Sequence, residues 1–301
     1  MKKILKHTPI LSVIIPAFNS ERTIVRTLKS VMKSELPMSE MEVLVVDNGS
    51  TDSTVELVHR NMQEFSNVRI IYSEKGRSNA RNEGLSKGNG RYITFLDADD
   101  EVTSNHYQDA VSYLEANSMM YAYMDNSRLV SDSAINLGDV TDLTGKKAVD
   151  LLKRNFIPIS AVIFRNEGLI SFDTNISHDE DWLFWALNLY TKSMFIAKNR
   201  YGSIIHVTGE NSMMDFRMRA NALYVYSKIK DAIGITAVSR VQLVKSALWF
   251  RMYYDQSTEP FVKDVQRSFK VEYGVAGLLL QVRPIKTFLN SKKTKNNARY
   301  R

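Results

Sequence analysis

The run Arg91-Tyr-Ile-Thr-Phe-Leu-Asp97-Ala98-Asp99-Asp100 ends an aromatic and β-branched stretch in three carboxylates. Tyr92 to Leu96 suits a strand. A buried strand cannot carry such charges, so the acids are expected where the strand leaves the sheet. In an open α/β sheet that end is where ligands bind. Two Asp separated by one residue can hold a hard divalent cation through oxygen, and the cation can hold a diphosphate. Asp is equally at home in turns and helix N-caps, so the pair alone decides nothing. A second acid, Asp47, closes the apolar run Met41 to Val46 and precedes Asn48-Gly49-Ser50. A carboxylate there can accept the imide N–H of a uracil or the hydroxyls of a ribose. Together the two acidic strand ends describe a site for a nucleoside diphosphate with a metal bridge. The glycine-rich dinucleotide fingerprint and the P-loop, the usual phosphate devices, are absent from the sequence.

Two further groups could do chemistry. His178-Asp-Glu-Asp-Trp-Leu-Phe-Trp185 places three acids before an apolar helix. Negative charge is favoured at a helix N-terminus, which accounts for one acid better than for three. His206 ends the apolar run Ile204 to Val207, where a lone His is ordinarily structural.

These residues need a frame, and the first hundred positions supply one. Leu11 to Pro16, Met41 to Val46, Val68 to Tyr72 and Tyr92 to Leu96 have strand character. Between them, apolar positions 24, 25, 28, 31 and 32, then 55, 57, 58 and 62, fall at helical spacing, and Ser78 to Lys87 forms a third helix closed by Gly88 and Gly90. Strands separated by helices predict a parallel sheet. Further on, His106 to Glu115 and Asp181 to Tyr190 are expected helices, and Met119 to Leu129, Val162 to Phe164 and Ile204 to Val207 expected strands. From about Met214 the pattern turns to long helices at Arg219 to Ile233, Ala237 to Tyr254 and Pro260 to Leu280. The last segment, Gln281 to Arg301, is basic and contains no acid.

The chain has 301 residues, 44% hydrophobic and 24% charged, which is ordinary globular composition. It has no cysteine, excluding disulfides, thiolate metal sites and catalytic thiols. The basic start Met1-Lys-Lys-Ile-Leu-Lys is followed by no long apolar segment, so no signal peptide is expected, and no stretch is long enough for a transmembrane helix. A net charge of +7 suits an anionic substrate or surface.

The motifs in order carry a resemblance. Val13-Ile-Ile-Pro-Ala-Phe-Asn19, Val45-Val-Asp-Asn-Gly-Ser-Thr-Asp52, Lys75-Gly-Arg-Ser-Asn-Ala-Arg-Asn-Glu-Gly84, Phe95-Leu-Asp-Ala-Asp-Asp100, Glu180-Asp181-Trp182 and Ile205-His206 match, in order and spacing, the pattern of family 2 glycosyltransferases over roughly residues 9 to 212. The chain resembles that family, whose fold is the GT-A fold. The resemblance implies an α/β nucleotide-binding domain at 1–212, with a mainly parallel sheet flanked by helices. A helical C-terminal extension with a basic tail, 213–301, has no counterpart in the family pattern.

The resemblance also implies roles. Pro16, Ala17, Phe18, Asn19 and Glu21 would line the nucleoside pocket, and Asp47 would hold the uracil. Lys75 and Arg81 would contact uracil or phosphates. Asp97, with Ala98 beside it, would contact the ribose or the metal shell, and Asp99 would ligate Mn²⁺ or Mg²⁺. His206 would reach the metal or the diphosphate. Asp181 would be the general base of an inverting transfer and Glu180 would contact the acceptor or orient the base. Asn48 stands where Asp is more usual, and Asn can still accept and cap. Asn82 and Gly84 suit helix packing, and Asp52 suits a helix cap.

The implied partners are a UDP-sugar donor and a glycan, lipid-linked or protein acceptor, with no nucleic acid. The implied place is the cytoplasm, peripheral on the inner face of the cell membrane. Nucleotidyl transfer and a non-catalytic nucleotide- or carbohydrate-binding module are the competing readings. The first would release pyrophosphate, and the second would more naturally have lost Asp99 or Asp181.

Overall fold

The computed structural model describes residues 8–62, 67–131, 136–140, 143, 145–207, 216–234 and 237–298. They form two compact units. The first takes in the chain to Ala148, then Phe156–Thr174 and Thr191–Val207. The second holds Val149–Asn155, Asn175–Tyr190 and everything from Thr208. The boundary expected at 212 therefore does not coincide with this division, because two earlier segments cluster with the C-terminal helices.

The first unit is built on one sheet. In chain order its elements are β1 (Leu11–Ala17), α1 (Ile24–Met32), β2 (Met41–Asp47), α2 (Thr54–Met62), β3 (Val68–Tyr72), α3 (Arg77–Lys87), β4 (Tyr92–Phe95), β5 (Glu101–Val102), α4 (His106–Ala116), β6 (Ala122–Ser131), β7 (Asn136–Asp139), β8 (Val162–Arg165) and β9 (Met194–Val207). The strand order is β3-β2-β1-β4-β8-β6-β9-β5, with β7 on β6. β1 to β4 pair in parallel, as the alternation of strand and helix patterns predicts. From β4 onward antiparallel pairs enter, beginning with Ile93 opposite Phe164. β1 and β2 are apolar almost throughout because both sheet faces are covered. α1 contributes Ile24, Leu28 and Val31 to the core beneath them.

The helices approach β1 closely at one point. A Cβ on Gly84 of α3 would lie 2.3 Å from Ile14 Cγ2, so this helix packs at a distance that only glycine permits. Asn82 grips the chain at Phe172, donating to its carbonyl at 2.9 Å and accepting from its N–H at 2.7 Å. Both residues serve packing, as the sequence suggested.

One premise of the sequence reading is corrected here. β2 does bury a charge: Glu42 is 1% exposed in the middle of the sheet. Its carboxylate accepts from Arg69 at 2.7 Å, from Ser12 Oγ at 2.7 Å and from the backbone N–H of Asn89. A strand can hold an acid when ion pair and hydrogen bonds saturate it.

The second unit consists of α5 (Glu180–Leu189), α6 (Phe216–Ile233), α7 (Arg240–Tyr254), α8 (Pro260–Ser268), α9 (Lys270–Gln281) and α10 (Arg283–Ala298). Its buried aromatic residues meet edge to face, as in Tyr224 on Phe261 and Phe184 on Trp185. No helix among the described residues is long and apolar enough to cross a membrane.

Candidate active site

The strand order 3-2-1-4 puts a change of direction between β1 and β4, and in such sheets ligands bind at the carboxyl ends beside that point. The loops there are those the sequence singled out. β1 ends at Ala17, opposite Asp47 in the register. Phe18, 44% exposed, and Asn19 follow, Asn19 with a left-handed φ of 49°. Asn19 accepts from Thr51 N at 2.8 Å and donates its own N–H to Ser50 Oγ at 3.0 Å. Glu21 accepts from Ser53 N, and its N–H donates to Asp52 Oδ2, both at 3.0 Å. Asp52 also accepts from Thr54 N at the start of α2, the capping role expected of it. The ends of β1 and β2 are thus one cross-braced loop pair.

Asp47 is 5% exposed and accepts from Gly49 N at 3.3 Å and Ser50 N at 3.2 Å, the first bonds of its own turn. Asn48 donates its N–H to Ala17 O and accepts from Gly76 N at 2.8 Å, tying the loop before α3 to β2. Lys75 Nζ stands 5.3 Å from the centroid of the Phe18 ring. Pro16, inside β1, is half-buried.

The acids after β4 are gripped from two helices. From α1, Arg26 donates to Asp99 O at 2.6 Å, and Thr27 Oγ1 lies 2.9 Å from Ala98 O and 2.8 Å from Asp100 O. From α3, Arg81, 2% exposed, pairs with Asp97 Oδ1 at 3.0 Å while its guanidinium lies over the Phe172 ring. This packing brings carboxylate oxygens of Asp97, Asp99 and Asp100 within 4.8 Å of one another. Burial first, and then the Asp97 charge, push Asp99 above its ordinary value; burial, Asp99 and Asp97 push Asp100 well above. Three hard oxygen donors repelling one another are a fitting cradle for a divalent cation.

The ligand set differs from the expected one in two places. Asp100, one of the three strand-end carboxylates but given no role from sequence, belongs to the cluster; its place beside Asp99 was the available signal. His206 is outside it. Its N–H donates to Asp100 Oδ1 at 3.2 Å, and its ring Nε2 lies 2.7 Å from Glu101 Oε1. Arg26, Thr27 and Ser160, which frame the cluster, carry no motif of their own; Ser160 Oγ donates to Asp100 Oδ2 at 3.4 Å.

The second unit carries the other expected group. α5 begins at Glu180, and the residue before it, Asp179, is left-handed with φ of 63°. Asp181 is half-buried in the first turn. Its Oδ2 accepts from Asn155 Nδ2 at 2.9 Å and its Oδ1 from Trp182 N at 2.8 Å. Glu180 is 2% exposed. His178 contributes through its backbone: its carbonyl accepts from Asn221 Nδ2 at 2.8 Å, and Asn221 in turn accepts from the Tyr254 hydroxyl. Asn155 and Asp179 were not singled out from sequence.

The family model described as Glycosyl transferase family 2 matches residues 12–128. An uncharacterized glycosyltransferase of Haemophilus influenzae is 25% identical over 261 residues, 82% of this chain and 96% of that protein. The Escherichia coli UDP-Glc:alpha-D-GlcNAc-diphosphoundecaprenol beta-1,3-glucosyltransferase WfgD is 31% identical over 180 residues, covering 58% of this chain and 68% of WfgD. Among solved structures, Staphylococcus aureus TarS 1-349 in complex with UDP-GlcNAc superimposes with a TM-score of 0.64 at 18% identity, over 95% of this chain and 88% of that one.

Proposed function

Because this chain belongs to glycosyltransferase family 2, we propose that it moves a sugar from a UDP-sugar to a hydroxyl of a glycan, lipid-linked or protein acceptor, with inversion at the anomeric carbon. The observation that carries the reading is the Asp97–Asp99–Asp100 cluster, standing at the carboxyl end of β4 in the unit that also presents Asp47 and the Asn19 loop. The donor assignment is supported by the E. coli relative WfgD, whose name makes UDP-Glc its donor.

In this reading the Phe18–Asn19 and Asp47–Ser50 loops receive the nucleoside. Asp47 exchanges its turn N–H partners for the uracil imide, and Lys75 and Arg81 face the phosphates. Mn²⁺ or Mg²⁺ would be held by Asp97, Asp99 and Asp100 and would supply positive charge to the leaving diphosphate. Asp181 takes the proton of the acceptor hydroxyl, and the freed oxygen attacks the anomeric carbon. The bond to the diphosphate breaks with its electron pair leaving on the phosphate oxygen. Asn155 and the Trp182 N–H orient Asp181 for that step, and Glu180 lies beside it in the chain for the acceptor. His206 reaches the diphosphate only when it leaves Glu101. The place we assign is the cytoplasmic face of the membrane, with residues 282–301 resting on anionic lipid.

A screen of nucleotide sugars for slow hydrolysis tests the reading without knowledge of the acceptor. Release of UDP from one donor, lost in Asp99→Ala, is the expected result. Release of pyrophosphate instead would identify nucleotidyl transfer, and absence of turnover with every donor and acceptor would leave only a binding module.

A further inference from the structure

The second unit holds a cleft of about 710 Å³ that the donor chemistry leaves unused. Its floor is Trp182 and Tyr226, edge to face with centroids 5.3 Å apart. Both rings are pinned by their polar ends: Trp182 Nε1 donates to Leu151 O at 2.7 Å and the Tyr226 hydroxyl to Lys153 O at 2.8 Å. The rim carries Arg154 and Arg219, both exposed. The Arg154 guanidinium has no partner among the described residues, and Arg219 lies over the Trp249 ring at 5.4 Å.

Asp179 also lines this cleft. It is 6% exposed, and its Oδ2 has no hydrogen-bond partner among the described residues. A buried polar atom left unmet is unfavourable, so a molecule that meets it binds more tightly for doing so. Burial, then the charges of Asp181 and Glu180, push its carboxyl well above the ordinary range, which favours the neutral acid, able to donate as well as accept. The cleft is joined to the proposed base directly: Asn155, on its wall, is the residue that donates to Asp181 Oδ2.

We propose that this cleft is the acceptor subsite and that its ligand is a sugar or polyol bearing a phosphate. A hydroxyl bonds to Asp179, the C–H face lies on Trp182 and Tyr226, and the phosphate is held by Arg154 and Arg219. Arginine suits that last task because its planar fork matches phosphate oxygens two at a time. The acceptor assignment rests on Asp181 as the base; the recognition of a phosphate-bearing glycan does not. The phosphate can come from a phosphodiester polymer or from a lipid-linked sugar diphosphate, which present the same chemistry to the two arginines.

Calorimetry on the full chain, with saturating UDP to block the donor site, tests this. The probes are a glycerol phosphate oligomer, N-acetylglucosaminyl diphosphate carrying a short alkyl chain, and neutral cellobiose. At least one phosphate probe is expected to bind more tightly than cellobiose, and the tighter of the two names the source. Arg154→Ser with Arg219→Ser should weaken that binding by about tenfold or more, the scale of losing charge-assisted contacts.

Asp179→Asn, which keeps a donor and an acceptor, should bind nearly as the natural chain does. Asp179→Gly, which accepts the left-handed backbone but removes the carboxyl, should bind weakly. UDP affinity and melting temperature of each variant report folding. Phosphate probes no better than cellobiose, or undiminished binding by the double arginine variant, would overturn the proposal. A chain that binds the phosphate probe in the cleft but no UDP at any concentration would instead sink the donor reading and leave the cleft standing.

Discussion

Asp99 gains less from Arg77 and Arg26 than it loses to burial and to Asp97. A divalent cation reverses that balance, so the chain's folded form is built with an electrostatic debt at this point. Asp99→Ala should therefore abolish turnover while the melting temperature stays close to that of the natural chain, since no core contact goes with the side chain. Release of UDP, followed as Mn²⁺ or Mg²⁺ is titrated in, checks it; full activity in excess EDTA would refute the metal assignment. Asp181 and Asp47 separate the two halves of the chemistry. Asp181→Asn keeps the side chain's shape and one of the two bonds, from Asn155 or from Trp182 N, while the other oxygen becomes an amide nitrogen that cannot accept, and it removes the proton acceptor. Turnover should drop by roughly 10²-fold or more, while UDP binding by calorimetry stays near normal. Asp47→Ala should weaken UDP binding first. Near-normal turnover in Asp181→Asn would place the base elsewhere.

The strand-end acids were legible in the sequence because they are local: apolar runs stop, carboxylates begin, and spacing does the rest. What was not legible depends on distant groups. Thr27 and Arg26 share a helix with an obvious apolar stripe, and nothing in that stripe says that its polar side grips the carbonyls of residues 98–100. Asp179 looks like one more acid at a helix start; Glu180 is equally buried, and what sets Asp179 apart is its left-handed backbone and an Oδ2 that no described residue meets.

At the scale of elements, the parallel core was readable and two boundaries were not. β9 was expected only at Ile204 to Val207, yet it begins at Met194. Its first half is interrupted by Lys198, Asn199 and Arg200, and its register against β6 jumps from Ile196 to Tyr201, with Asn199 left-handed at φ 57°. A bulge of polar residues hides a strand from any reading by periodicity. The expected helix from Pro260 to Leu280 breaks at Phe269, where no Gly or Pro marks it. There Lys230 of α6 takes the carbonyl of Ser268 at 2.7 Å and lies over the buried Phe269 ring. Tertiary contacts overrode local propensity. α3 gives the test at this scale. Gly84→Val would push branched carbon into Ile14, itself 0% exposed, at a cost of about 1–3 kcal/mol for overpacking. The urea midpoint should fall, and UDP affinity with it, because α3 also carries Arg81. An unchanged midpoint would show that the helix has room that this packing denies.

For the molecule as a whole, charge and exposed apolar surface meet at the C-terminal end. Beyond Glu272 the sequence has no acid and seven basic residues, from Arg283 to Arg301. This basic segment is helical over most of its length, α10 running to Ala298. Of its apolar residues, Leu289 is buried and Phe288 exposed, and Val282, just before the helix, is exposed too. α9 leads into it with Val271, Val275 and Leu278 exposed at helical spacing, at 65%, 39% and 66%. An apolar stripe that continues into basic residues is the pattern of a helix lying in a membrane interface. Each basic group near anionic lipid contributes about 1 kcal/mol, and that part vanishes with salt, whereas inserted apolar area does not. The two contributions can therefore be separated. The full chain should bind phosphatidylserine vesicles in a salt-sensitive way. A chain ending at Gln281 should lose the salt-sensitive part, and Val271→Ser with Leu278→Ser should lose the part that survives high salt. Sedimentation with vesicles at low and high salt measures both, and equal binding by the shortened and full chains would refute the docking of this end on lipid.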